Sequence, residues 1–343
     1  MGTENWREDI TGNMRKLKVI LGGGAGLCGS WLSRHLIDKE YDVIILDDFS
    51  ESYPENLDSR AKFYLVDISD YTKVQQVFDI EKPDYVFAMA AHAAECLSPW
   101  MRMDCYKNCL LTELSLINAS INTNVKKIIG FSSMAIYGNQ PAPFLESMQP
   151  AAIDPYGQAK ISLEVEHKLA KLYHQLDYSI VRPHNFQGKY VNWASMYRNF
   201  LGIAVRKALN NENIVVYGSG EQRRAFSDVK FLCEPLEKLL FTDLDIVNIG
   251  ADKDYSILEV ANIIKCIANT DGKNIGIEHA EPRHEVKNAF SEHSLAKSKL
   301  AFKDETDIEK LCYEIYHWVK TQPFREVKKS IYEVTKNLYS FWK

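Results

Sequence analysis

Glycines at 23, 26 and 29 follow directly on the apolar run Val19-Ile20-Leu21, and an amphipathic pattern opens at Leu27 and continues to about Lys39. This reads as a buried strand, a tight turn and a helix N-terminus. Glycines let the backbone of such a turn approach a pyrophosphate, and the helix N–H groups and dipole hold its charge. A second apolar run, Val43 to Leu46, ends in Asp47 and Asp48. An acid roughly 20 residues past such glycines lies where a carboxylate takes the two hydroxyls of an adenosine ribose. Asp47 would repel a 2′-phosphate, so the expected dinucleotide is NAD rather than NADP.

Short apolar runs recur at 18–22, 43–47, 63–66, 84–90, 126–132 and 178–183, separated by longer amphipathic stretches such as Ser69 to Phe78, Asp104 to Asn122 and Pro155 to Gln175. Such alternation makes a parallel sheet covered on both faces. The expected fold class is α/β: a doubly wound (Rossmann) parallel sheet over residues 17–187, with a smaller, helix-rich, substrate-binding lobe over 188–343. Residues 1–16 are polar, lack a hydrophobic leader core and read as an N-terminal tail. A net charge of −5 argues against nucleic acid as a partner, and no apolar stretch reaches membrane-spanning length. The seven cysteines are scattered and lack zinc-ligand spacing, which predicts reduced thiols, no metal and a cytoplasmic protein.

A second constellation joins Ser133 to Tyr156 and Lys160. Tyr-x-x-x-Lys also occurs at Tyr316/Lys320, Tyr332/Lys336 and Tyr339/Lys343, so the pattern alone says little. Position separates the first pair. Strand five ends in Phe131-Ser132-Ser133, and Tyr156 begins the helix after it. The carboxyl ends of parallel strands face the nucleotide, so Ser133 points into the crevice and the helix presents Tyr156 and Lys160 on one face. Hydride removal from a carbinol requires removal of its hydroxyl proton. Tyrosine, with a pKa of about 10, becomes a usable base when an ammonium favours its phenolate. Ser133 would orient the substrate hydroxyl and relay its proton.

These residues resemble the extended short-chain dehydrogenase/reductase family, in its nucleotide-sugar epimerase and dehydratase branch. The resemblance spans about 17–300. It rests on Gly23-Gly24-Ala25-Gly26-Leu27-Cys28-Gly29-Ser30, Leu46-Asp47-Asp48, Val66-Asp67-Ile68, Phe131 to Gly138, Pro155-Tyr156-Gly157-Gln158-Ala159-Lys160 and Arg182-Pro183-His184-Asn185. It implies that Gly23, Gly26, Leu27, Cys28, Gly29, Ala88, Ala90 and Ser132 lie along NAD, that Asp67 and Ile68 lie against the adenine, and that His184 sits by the nicotinamide. Asn185 would contact the diphosphate or sugar. Tyr217 to Phe226 resembles the family's nucleotide-gripping segment, with Arg224 on a phosphate. Arg283 resembles its second phosphate-binding arginine, and Glu285 would lie near the nucleoside ribose. Gly22, Ala88, Cys109 and Lys230 depart from the family pattern, which usually has threonine, histidine, asparagine and aspartate there. His92 and Glu95, after strand four, are further candidates for the substrate pocket.

The residues after Ser133 discriminate between reactions. The family's 4,6-dehydratases carry an Asp-Glu pair there, as acid and base. Here stand Met134 and Ala135, which move no protons. The resemblance therefore implies a 4-epimerase acting on a UDP-hexose or UDP-N-acetylhexosamine. The alternatives are a C4 dehydrogenase or reductase, an epimerase at another carbon, and a catalytically silent dinucleotide-binding sensor. The family also implies a homodimer, paired through the helices at about 104–122 and 155–175, where Leu110, Leu114, Ile117 and Ile121 recur at helical spacing.

Overall fold

The computed structural model describes residues 6–8, 14–197, 199–327 and 332–342. Seven parallel strands form the central sheet: β1 (Lys18–Gly22), β2 (Asp42–Asp47), β3 (Lys62–Leu65), β4 (Tyr85–Ala88), β5 (Lys127–Phe131), β6 (Asp177–Pro183) and β7 (Ile246–Ile249). Their order is β7-β6-β5-β4-β1-β2-β3. The six predicted runs supply β1 to β6. The seventh strand comes from the region expected in the smaller lobe, and its Val247 pairs with Val181 of β6.

The helices that cover the sheet follow from their caps and faces. Helix α1 (Leu27–Asp38) starts at Gly26 with no side-chain cap and no acid in its first turn. Helices α2 (Tyr71–Glu81) and α3 (Thr112–Asn122) come next. The predicted helix over 104–122 is present and begins at Arg102; it is helical throughout, Arg102–Tyr106 passing through one π-turn over Lys107–Leu111 into α3. Helix α4 (Pro155–His174) is capped by the Asp154 carboxylate, which accepts from Gly157 N–H at 2.8 Å, and it opens on Pro155. One face of the sheet packs on Leu32 and Leu36 of α1 with Leu236, Leu239 and Leu300. The other packs on Phe78 of α2, Leu116 of α3 and Leu163 of α4.

The lobe has its own core, built from α5 (Phe200–Leu209), α6 (Ile257–Thr270) and α7 (Ile308–Lys320). Short strands tie it down: Ile214–Tyr217 pairs with Ile277–Ala280, and Arg223–Ala225 pairs with Asp254–Ser256 and Asn288–Ala289. Of the stretch expected as a tail, Trp6–Glu8 and Met14–Lys16 form an antiparallel ribbon, and the Arg15 guanidinium donates to both Asp84 oxygens at 2.7 and 3.1 Å. Residues 1–5 and 9–13 of that stretch lie outside the described residues. Among the described residues no helix is long and apolar enough to cross a membrane, and no cluster of three metal-ligating side chains occurs.

Candidate active site

A cavity of about 810 Å³ opens at the carboxyl ends of β1, β2, β4, β5 and β6. At one end lies the glycine turn. Gly23 has φ +76°, and a β-carbon there would sit 2.8 Å from the Ala90 backbone. Gly29 is held closer still, since its β-carbon would lie 2.4 Å from Gly24 Cα. Neither position tolerates a side chain, and the uncapped N–H groups of α1 face the cavity as an anion cradle. The departure at Gly22 has a packing reason, because a β-carbon there would sit 2.7 Å from Leu116 Cδ1.

Asp47 ends β2 and is only 7% exposed. Its carboxylate accepts from Ala25 N–H at 3.0 Å, Phe49 N–H at 2.9 Å and Ser52 Oγ at 2.7 Å. Burial raises its pKa against those three donors. A carboxylate has about four acceptor sites, so Asp47 both organises the turn and keeps room for one more donor. Asp48 beside it is exposed and accepts from Ser50 N–H. Asp67 takes Lys107 Nζ at 2.8 Å; despite partial burial, Lys107 and Ser69 hold its carboxyl below the usual range. Leu27, Cys28 and Ile68 complete this end, and burial pushes the Cys28 thiol up to about 12. Two groups fit a ligand by their lack of protein partners: Ser132 Oγ and Asn185 Nδ2, both buried in the cavity wall without a hydrogen bond. Together these features fit a dinucleotide.

Midway along the cavity stand Ser133, Tyr156 and Lys160, which are 5%, 4% and 1% exposed. Ser133 caps the turn Met134–Tyr137, its Oγ accepting from Ala135 N–H at 3.1 Å. Lys160 donates to Phe131 O at 2.6 Å, and its Nζ lies 5.8 Å from the centre of the Tyr156 ring. Tyr156 N–H donates to Ser98 Oγ at 3.2 Å, which fixes the first turn of α4 against the loop after β4.

The far end is electrostatically mixed. Arg224 donates to Glu285 at 3.1 Å and to the Arg223 and Lys287 carbonyls. Arg283 lies 4.0 Å over the Tyr217 ring, 3.8 Å from Glu285, with its Nε unpartnered. Glu95 lines the cavity with its side chain exposed there; crowding by the surrounding protein, then Asp154 and Glu285 against the opposing Arg224, pushes its carboxyl up to about 7.

Most residues expected at the site line this one cavity: Gly23, Gly26, Leu27, Cys28, Gly29, Asp47, Asp48, Asp67, Ile68, Ala90, His92, Ser132, Ser133, Tyr156, Lys160, His184, Asn185 and Arg283. Ala88 does not; it is buried inside β4, paired with Gly22 and Gly130. Tyr217 and Arg224 stand behind the wall, reaching the site through Arg283 and Glu285. His184 borders the cavity, but its imidazole is turned into the protein: Nε2 lies 2.7 Å from His293 Nε2, and burial, then His293, pushes it down to about 3. Thr112, Asn199 and Glu333 also line the cavity and carried no sequence signal; Asn108, which adjoins the Cys109 position where the family often has an asparagine, lines it too.

The profile of the NAD dependent epimerase/dehydratase family matches residues 19–250. Among curated relatives, the UDP-glucose 4-epimerase of Bacillus subtilis is 27% identical, the match covering 88% of this chain and 96% of that protein. Among solved structures, the UDP-glucose 4-epimerase of Thermotoga maritima with UDP-glucose superposes with a TM-score of 0.81 at 27% identity, covering 89% of this chain and 99% of that one. The UDP-N-acetylglucosamine 4-epimerase of Methanobrevibacter ruminantium, in complex with UDP-N-acetylmuramic acid, gives 0.82 at 28%, covering 90% and 100%. With its glycine turn, its Ser133–Tyr156–Lys160 set and this match over two thirds of its length, the chain belongs to the NAD dependent epimerase/dehydratase family.

Proposed function

We propose that this protein is a nucleotide-sugar 4-epimerase acting on a UDP-hexose or UDP-N-acetylhexosamine. One observation carries the reading: Ser133, Tyr156 and Lys160 share a cavity with the uncapped N-terminus of α1, while Met134 and Ala135 stand beside Ser133. The names of the similar epimerases support a UDP-sugar.

Bound NAD supplies the acceptor, and then the donor, of the C4 hydride. Tyr156 takes the C4 hydroxyl proton as that bond weakens, and returns it to the epimeric alkoxide. The buried Lys160 ammonium favours the phenolate form that this requires. Ser133 holds the C4 oxygen. The diphosphate competes with Glu285 for the forks of Arg224 and Arg283, since guanidinium groups pair well with phosphates, and the free Asn185 amide donates to the same substrate. No side chain beside Ser133 deprotonates C5 or protonates a C6 leaving group, so elimination has no machinery.

The test is incubation with UDP-glucose and UDP-N-acetylglucosamine deuterated at C4. The expected outcome is the C4 epimer, with deuterium retained and no net NADH. A stable 4-keto-6-deoxy sugar would refute the reading, and stoichiometric NADH would establish a dehydrogenase instead.

The same reading includes a homodimer in a reducing, cytoplasmic compartment. Its supports are an apolar strip on α4, with Val165, Leu169, Leu172 and Tyr173 all exposed, and seven free thiols. Ile117, expected on that surface, is instead buried in the core with α2 and the sheet. Light scattering at micromolar concentration should give twice the chain mass, and Leu172→Glu should halve it; a monomeric wild type refutes the dimer.

A further inference from the structure

The loop after β4 runs along the cavity wall from Met89 to Cys96. His92 sits at its midpoint and faces the cavity. Its Nδ1 lies 2.7 Å from Asp104 Oδ2. The other oxygen of Asp104 accepts from Asn108 Nδ2 at 2.9 Å, and its backbone N–H donates to Glu333 Oε1 at 2.8 Å. The second oxygen of Glu333 accepts from Met103 N–H at 2.7 Å. Glu333 thus holds the start of the helix that carries Asp104, from a segment 229 residues further along the chain. An ionised carboxylate only accepts, so the proton of a neutral His92 resides on Nδ1 and Nε2 keeps its lone pair. That Nε2 has no partner among the described residues.

Placement says what this acceptor meets. Ala91 and Ala93, on either side of His92, pack into the cluster that contains Tyr156, Cys105 and Cys109. Two and three residues further on, Glu95 and Cys96 lie in the field of Arg224, Arg283 and Glu285. His92 therefore stands between the base and the arginine pair. In a nucleotide sugar, the hexose is what spans the distance from the reacting carbon to the diphosphate.

We propose that His92 binds the hexose through Nε2, accepting a hydrogen bond from one of its hydroxyls, and that Asp104, Asn108 and Glu333 are positioning residues that hold it in this form. The proposal rests on the sugar-nucleotide reading above.

Asp104→Asn tests it, because the change keeps the volume and inverts the hydrogen bond. Asn108 donates to Oδ1 and so keeps the new amide oxygen on its own side. The new NH₂ then faces Nδ1 and drives the imidazole proton onto Nε2, turning an acceptor into a donor. A buried hydrogen bond lost in this way weakens binding by about 10-fold or more. The expected result on NAD-loaded protein is a KM for the UDP-hexose, and a calorimetric Kd, raised by that factor. The turnover number should stay within about threefold and the Kd of NAD should not move. Glu333→Ala should act in the same direction. In a His92→Ala background Asp104→Asn should add nothing, since it acts only through His92. Additive effects, an unmoved KM, or a parallel loss of NAD affinity would overturn the inference. Wild-type protein that binds neither a UDP-hexose nor a UDP-N-acetylhexosamine would overturn the sugar-nucleotide reading and this inference with it, whereas wild-type binding with an unmoved Asp104→Asn would overturn this inference alone.

Discussion

Replacing Glu164 by Gln should be among the most damaging isosteric changes in the protein. Glu164 lies on α4, one turn past Lys160, and Arg182 lies on β6, two residues before His184. Their side chains are 4% and 3% exposed and meet as a bidentate pair, Arg182 Nε to Oε1 at 2.9 Å and a terminal nitrogen to Oε2 at 2.8 Å. The same guanidinium donates to Tyr137 Oη at 2.9 Å and to Glu146 O at 3.2 Å, and Tyr137 donates on to Asn248 of β7 at 2.7 Å. Glu164→Gln keeps the shape but leaves a buried positive charge with neutral partners only. Breaking a buried pair from one side costs about 3–5 kcal/mol, set against a total stability of about 5–15 kcal/mol. At the low end of the usual conversion for large domains, that lowers the melting temperature by roughly 6–10 °C. Replacing both members, Glu164→Leu with Arg182→Met, removes the orphaned charge and should recover most of the loss, because Tyr137 keeps Asn248. Calorimetry and urea unfolding followed by tryptophan fluorescence would measure both variants. A single-mutant shift under about 2 °C, or a double mutant less stable than the single, would refute the reasoning.

Tyr156→Phe should lower turnover by about 10²-fold or more, because it removes the general base that takes the C4 hydroxyl proton, with NAD content unchanged. Tyr316→Phe should leave turnover unaffected, since that hydroxyl bonds Asp271 in the lobe; steady-state kinetics separates the two. Gly23→Ala should abolish NAD binding by fluorescence titration while circular dichroism stays native, since the new methyl would meet Ala90 at 2.8 Å and the backbone sits at φ +76°. Stability should fall in acid because of His184, held near 3 in the folded protein against an ordinary 6.5. The unfolded chain takes up this proton first as pH drops, so the contribution is full above 6.5 and is lost between 6.5 and about 3. By pH 5 it amounts to about 2 kcal/mol. His293, also lowered, adds in the same direction. Urea midpoints at pH 7.5 and 5 would show it, and His184→Phe should flatten the slope.

The cofactor half was legible because its strands, apart from the edge strand β3, are largely buried and read as unbroken apolar runs, and because glycine spacing reports backbone conformation directly. The turn at Gly23 and the alignment of Ser133, Tyr156 and Lys160 follow from that frame. Strand β7 escaped because Ile246–Ile249 is four residues long, flanked by acids and interrupted by Asn248, whose side chain is satisfied only by Tyr137 and Phe144 from elsewhere in the chain. The π-turn at Lys107–Leu111, inside an otherwise correctly placed helix, left no trace, since it keeps the apolar composition of the helix around it. The inward turn of His184 depends on His293, 109 residues later, and the role of Glu333 on backbone N–H groups 229 and 230 residues away. Contacts of that kind have no local period.

Strand β7 ties the history of the molecule to its architecture. Until residue 249 has left the ribosome, β6 is an open edge whose Ile180 and Val181 have no neighbour on that side. An exposed apolar edge is a template for pairing with other chains. The cofactor-holding half thus cannot be born finished: its last strand waits for much of the lobe to be synthesised, and a chain cut at 187 would present a sticky border instead of a small dinucleotide-binding protein. The two halves are stitched by a thread that leaves the sheet and returns to it, so they mature as one unit.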